Sequence, residues 1–171
     1  EMNLKDKVVL VTGSGSGIGR KTSLVCAEYG ATVIALDINE EAAKLTEKMI
    51  IDADGTAMAA KADITDRVQV HTVIEDVIAR FKKIDVLVNN AGSTRLGTMV
   101  DLEDSTYDFI INLNMKGPFI MSTEVAKVMI PRRSGRIINI TSYCAVRGEF
   151  ANAPYCMAKA GIKMMTQVQA L

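Results

Sequence analysis

Apolar residues recur along this chain in two alternating rhythms, short β-branched runs and longer stretches of helical period, with glycines or capping side chains between them. Residues 7–12 (KVVLVT) form the first short run; a glycine-rich turn follows, then a helical stretch from Ile18 to about Tyr29 that stops at Gly30. Residues 32–37 (TVIALD) repeat the strand signal, Asn39 caps a helix through the 40–54 segment, and Gly55 closes it. Residues 56–63 read as a third strand, Thr65 or Asp66 caps a helix to about Phe81, and residues 84–89 (IDVLVN) form a fourth strand, apolar enough to be buried on both faces. A long helix over about 105–130, a strand over 136–141 (RIINIT) and a last helix from about Ala153 complete the alternation.

Strands that alternate with helices must pair in parallel through right-handed crossovers, which puts helices on both faces of the sheet. The fold class expected is therefore α/β, a doubly wound parallel sheet of Rossmann type. No internal repeat, low-complexity tract or Pro/Gly/Ser-rich linker divides the chain, so residues 1–171 are read as a single domain. A chain of this length buries roughly 70% of the surface its unfolded form exposes, enough for a core without staples.

Composition narrows the ligand. Twenty basic against twenty acidic residues leave no electrostatic footprint for nucleic acid or an anionic membrane. No stretch approaches the ~18 apolar residues of a membrane span. Cys26, Cys144 and Cys156 are odd in number and accompanied by a single histidine, so they assemble neither a disulfide framework nor a metal site, and the expected location is the reducing cytoplasm. No signal peptide opens the chain, and Glu1 ahead of Met2 reads as a residue left over from expression.

The turn after the first strand reads Thr12-Gly13-Ser14-Gly15-Ser16-Gly17-Ile18-Gly19, and its position before a helix makes it informative. Glycines there permit positive φ, let backbone approach a pyrophosphate, and aim helix N-terminal N–H groups at the anion. The spacing is T-G-x-x-x-G-x-G rather than G-x-G-x-x-G. Asp37 ends the second strand, where a carboxylate accepts from adenosine ribose hydroxyls and repels a 2′-phosphate; neither Ile38, Asn39 nor Ser16 supplies a compensating cation. NAD is therefore expected over NADP. Downstream, Tyr155 and Lys159 lie four apart on one face of a helix opened by Pro154, a phenol beside an ammonium that favours its ionised form. Ser142 lies thirteen residues before Tyr155 at the C-terminal end of the fifth strand.

Together with N-N-A-G at 89–92 and N-x-x-G at 114–117, these motifs resemble the short-chain dehydrogenase/reductase family over essentially the whole chain. The resemblance implies the strand order 3-2-1-4-5 and hydride transfer between NAD(H) and an alcohol or ketone. In its terms Tyr155 is the general acid/base, Lys159 lowers its pKa and holds the nicotinamide ribose, Ser142 hydrogen-bonds the substrate oxygen, and Asn114 positions a water in a proton relay. Asn114 has an alternative structural reading, as the residue that satisfies carbonyls freed by Pro118. The implied cofactor contacts are Gly13, Ser16, Gly17, Ile18 and Gly19 at the turn and Asp37 and Ile38 after the second strand. Asp63 and Ile64 meet the adenine, and Asn90, Ala91 and Gly92 lie along the cofactor, with Tyr155 and Lys159 at its reactive end.

The family's chains continue past the Tyr155 helix through two further strands, so this sequence reads as the N-terminal two-thirds of a family-length chain, C-terminally incomplete, with its fifth strand an open edge. The alternative is a non-catalytic nucleotide-binding or interaction protein on the same fold, which has no need of Ser142, Tyr155 and Lys159 together. A relative with dehydratase or epimerase chemistry fits the glycine spacing less well. His71 is read as solvated, Cys144 and Cys156 as packing residues. Segments 93–97 and 144–152 are expected to flank the substrate, with Arg95 and Arg147 in surface salt bridges or meeting an acidic substrate. Met157, Ile162, Met164, Met165 and Val168 exceed one sheet-facing stripe, so some face outward; the resemblance implies that this helix and the 105–130 helix pair in a homodimer or homotetramer.

Overall fold

A computed structural model describes residues 3–171; Glu1 and Met2, and with them the reading of Glu1 as a leftover, lie outside the described residues. Five parallel strands, β1 (Val8–Thr12), β2 (Thr32–Asp37), β3 (Thr56–Lys61), β4 (Val86–Asn89) and β5 (Arg136–Asn139), form one sheet in the order β3-β2-β1-β4-β5. Every residue of β1 is buried, as a β-branched strand between two parallel neighbours requires. Helices α1 (Gly17–Glu28), α2 (Glu40–Ile51) and α3 (Arg67–Phe81) carry the crossovers among the first four strands. Two apolar clusters divide the molecule, one built on Leu10, Ile34, Leu87, Met121 and Val125, the other on Val9, Val11, Val33, Ile50 and Val88, so alternate residues of β1 and β2 face opposite layers.

The cap residues act as their chemistry predicts. Asn39 accepts from the Ala42 N–H and Asp66 from those of Val68 and Gln69. The helix expected over 105–130 is in three parts: α4 (Asp104–Ile111), a π-helical turn (Asn112–Lys116) and α5 (Gly117–Arg132). Pro118 has no N–H to donate, and the backbone widens in the turn before it, where the Gly117 N–H reaches Asn112 O. A 3₁₀ turn (Tyr143–Ala145) and α6 (Ala153–Gln169) follow β5. Strands β3 and β5 stop two residues short of their expected ends, releasing Ala62-Asp63 and Ile140-Thr141 to line a cavity.

His71 was expected to be solvated. Its half-exposed ring lies 3.3 Å from both Glu75 and Glu124, and Glu124 is a buried carboxylate that also binds Lys127 at 2.9 Å and Arg67. The Lys127 hydrogen bonds, with those of Arg67 and His71, outweigh burial and hold the Glu124 carboxyl at a pKa of about 2. This cluster ties α3 to α5.

Candidate active site

The C-terminal ends of β1, β2, β3, β4 and β5 open onto one cavity of about 720 Å³. It is lined by Gly13, Ser16, Gly17, Ile18, Asp37, Ile38, Asp63, Ile64, Asn90, Ala91, Gly92, Tyr155 and Lys159, every cofactor contact expected from the sequence except Gly19. Gly19 is a packing glycine: a Cβ there would stand 2.1 Å from the Gly13 carbonyl oxygen. Gly13 and Gly17 carry positive φ, 65° and 51°. Walls the sequence reading did not name come from Leu36, Ala62, Thr65, Phe109, Asn112, Leu113, Ile140 and Thr141; three of them, Ala62, Ile140 and Thr141, lie just past the early ends of β3 and β5.

The glycine turn is held from behind. The Thr12 hydroxyl accepts from the N–H groups of Asn90 and Ala91, both at 3.0 Å, and the Asn90 amide donates to Thr12 O and Gly13 O. Asn90 is thus a tie between two turns as well as a cavity wall. Ser16 begins α1 without a side-chain cap, and no acidic residue occupies that first turn. α2, by contrast, is capped by Asn39 and opens with Glu40 and Glu41. An uncapped, uncompensated N-terminus beside a glycine-rich turn fits a pyrophosphate.

At the β2 end both Asp37 oxygens accept backbone N–H groups, Oδ2 from Gly15 at 2.8 Å and Oδ1 from Asn39 at 2.9 Å. Each keeps a lone pair for a further donor. Two cations not considered from sequence lie close by. Arg20 donates to Gly15 O and, at 3.0 Å, to Thr46 Oγ1. Lys61, in register with Asp37, has its ammonium 3.8 Å from Glu40.

At the opposite end α6 presents Tyr155 and Lys159 to the same cavity, with the Lys159 nitrogen 5.5 Å from the phenol ring centroid. Lys159 is buried, donates to Ile140 O at 2.9 Å, and has its pKa lowered by that burial. Ser142 Oγ accepts from the Cys144 N–H at 3.1 Å, which leaves its own proton free to donate. Ser142, half-buried at the end that follows β5, and the fully buried Asn114 are not among the lining residues. The fully buried Asn114 amide donates to Ser93 O at 2.7 Å and to Ile110 O at 2.9 Å, while its Oδ1 has no protein partner. It therefore secures the π turn and also holds an unsatisfied acceptor.

The loops that flank this end behave differently from expectation. Among the described residues Arg95 and Arg147 make no salt bridge; they stack over Phe109 at 4.4 Å and Tyr143 at 5.7 Å. Thr94, Asn152, Glu149 and Cys144 form a hydrogen-bonded chain across the two loops, and Cys144 is buried within it.

A doubly wound sheet with a glycine turn and an acid at the end of β2 defines a dinucleotide-binding protein. Its family follows from comparison: residues 7–171 match the short-chain dehydrogenase family, and the chain belongs to it. It is 40% identical over 174 aligned residues to a 3-oxoacyl-(acyl-carrier-protein) reductase of Thermotoga maritima, covering 99% of this chain and 69% of that protein. It is 34% identical to an NAD-dependent glycerol dehydrogenase of Listeria innocua, covering 100% of this chain and 66% of the relative. A crystal structure of an NAD⁺-bound xylitol dehydrogenase superposes with a TM-score of 0.96 at 32% identity, over 99% of this chain and 65% of the other. The reaction class is accordingly hydride transfer by a nicotinamide-dependent oxidoreductase. Among the described residues no helix is long and apolar enough to cross a membrane.

Proposed function

We propose that this protein is an NAD-dependent alcohol dehydrogenase or carbonyl reductase with Tyr155 as its general acid/base. The observation that carries the reading is that Tyr155 and Lys159 line the same cavity as the glycine turn and Asp37, so proton transfer and cofactor binding share one site. When bound, the nicotinamide supplies or accepts the hydride. In oxidation the Tyr155 oxygen takes the proton of the alcohol; in reduction it returns a proton to the oxygen of the former carbonyl. The Lys159 ammonium stabilises the charge left on the phenol oxygen, and Ser142 donates to the substrate oxygen as negative charge develops there. Asn114 Oδ1, a buried acceptor worth ~1–3 kcal/mol if left unmet, is suited to a water that returns protons to Lys159.

Asp37 anchors the adenosine ribose, with Ile38 and Ile64 as apolar walls and Asp63 beside the base. NAD rather than NADP is supported by the engagement of both nearby cations, Arg20 by the turn and Lys61 by Glu40, which leaves the Asp37 charge unopposed at a 2′-phosphate. The names of the glycerol and xylitol dehydrogenases point the same way. The substrate is a small alcohol or ketone. The described residues act as a single dinucleotide-binding domain, and three unpaired cysteines suit a reducing cytoplasm. Met157, Met164 and Val168 on α6 and Phe119 and Ile130 on α5 are exposed, while Ile162 is buried, so the outward apolar face is a homo-oligomer interface. Incubating the protein with NAD and a panel of secondary alcohols, reading reduced-cofactor absorbance, tests the activity. Tight NAD binding with no turnover on any alcohol or ketone would favour the non-catalytic reading instead.

A further inference from the structure

Gly15 lies between two peptide planes, and both are held from outside the turn. In the first, Ser14 C=O accepts from the buried Thr46 hydroxyl of α2 at 2.8 Å while the Gly15 N–H at the other end of the plane donates to Asp37 Oδ2 at 2.8 Å. In the second, Gly15 C=O accepts from the Arg20 guanidinium, whose Nε also donates to Thr46 Oγ1 at 3.0 Å. The Thr46 hydroxyl accepts from Arg20 and has two carbonyls within reach of its one proton, Ser14 O at 2.8 Å and the more distant Ala42 O of its own helix at 3.2 Å. Gly15 has no positive φ; it is glycine for space, since a Cβ would lie 2.7 Å from both Asp37 Oδ2 and Ala42 Cβ. Nothing in the reaction needs Arg20 or Thr46, yet together they fix the Gly15 peptide, whose N–H is one of the two donors, with that of Asn39, that aim the Asp37 carboxylate.

Resting on the reading of Asp37 as the ribose anchor, we infer that Arg20 and Thr46 are positioning residues that set the choice between NAD and NADP by orienting Asp37 through the Gly15 peptide. Without them the carboxylate turns away from the ribose hydroxyls, which weakens NAD, and away from the 2′-phosphate position, which relieves NADP. Loss of the Arg20 charge by itself acts in the opposite direction, against NADP, so the two effects differ in sign.

The test is the ratio of NAD and NADP dissociation constants for the protein and its variants. Thr46→Val, which keeps the side-chain shape and the charge, is expected to narrow the preference for NAD about tenfold, the loss of one charge-assisted contact, and Arg20→Met to narrow it less, because the loss of its charge opposes the change. Thr46→Ser keeps the hydroxyl and is expected to retain the ratio. In an Asp37→Ala background Thr46→Val is not expected to move the ratio further, because the group it orients is gone, and Arg20→Met is expected to keep only its charge effect, against NADP. An unmodified protein without a preference for NAD overturns the underlying reading of Asp37. A normal preference for NAD, with Thr46→Val weakening both cofactors equally or shifting the ratio even without Asp37, overturns the positioning role alone. Should Arg20→Met not fold, Thr46→Val decides.

Discussion

The two ends of the cavity are built on different principles. At the cofactor end the groups are close in sequence: Thr12 to Arg20, Asp37 and Thr46 come from the first crossover unit and the helix after it, and they bond one another. At the catalytic end Asn114, Ser142, Tyr155 and Lys159 come from a π turn, the cap of a 3₁₀ turn and α6, and among the described residues no direct hydrogen bond joins any two of them. They are held instead through backbone carbonyls, Asn114 by those of Ser93 and Ile110 and Lys159 by that of Ile140. The strands beneath differ as well, β1 being buried throughout and β5 alternately exposed. A locally bonded cradle changes mainly its affinity when one residue is altered, whereas a site assembled from scattered elements loses function with one side chain.

The largest expected effect tests the catalytic end. Tyr155→Phe is expected to lower kcat by ~10²- to 10⁴-fold with NAD affinity nearly unchanged, and Lys159→Met to damage both, read by steady-state kinetics and cofactor titration. Retention of a tenth or more of the activity by Tyr155→Phe would mean that another acid does the work.

At the cofactor end, Asp37→Ala combined with Ile38→Arg is expected to narrow the NAD preference by about ten- to a hundredfold, the value of one or two charge-assisted contacts. Unequal dissociation constants that persist at the original ratio would locate the discrimination elsewhere.

The apolar surface of α5 and α6 yields a third test. Met164 is 59% exposed, more than Met165 or the buried Ile162, so Met164→Asp is expected to shift a homodimer or homotetramer toward monomer by light scattering, with the circular dichroism of the fold retained. An unchanged assembly would place the interface on another face.

The smallest effect concerns the α3–α5 tie, far from either end. Glu124→Gln is expected to cost about 1–2 kcal/mol in denaturant unfolding, since Arg67, His71 and Lys127 are solvated enough to lose their partner cheaply. Because the folded carboxyl has its pKa lowered to about 2, its contribution is complete above the unfolded value of about 4.5 and is lost as pH falls through about 2. A variant whose stability tracks the unmodified protein equally at pH 6 and pH 3 would remove Glu124 from the account of acid unfolding.

Much of this molecule was legible in the chain because its signals are local. A β-branched run, a glycine turn and a capped helix each follow from neighbours in sequence, and thus β1, α1, the caps Asn39 and Asp66 and the cradle around Gly13 and Gly17 were all readable. The helix over 105–130 was readable as helix; its π turn was not, because Pro118 dictates that a bond be lost without dictating how the preceding turn rearranges.

What the sequence by itself determined was the alternation of elements, the donor and acceptor chemistry of each motif, and the pairing of Tyr155 with Lys159, since spacing four on a helix places both on one face. Tertiary structure decided which of those groups meet. It brought His71 to Glu124 across 53 residues, turned Arg95 and Arg147 onto aromatic rings instead of carboxylates, and joined Arg20 and Thr46 to the Gly15 peptide behind Asp37. The physical reason is that hydrogen bonds and stacking act over a few ångströms, and only packing of the sheet and its helices fixes which residues come that close.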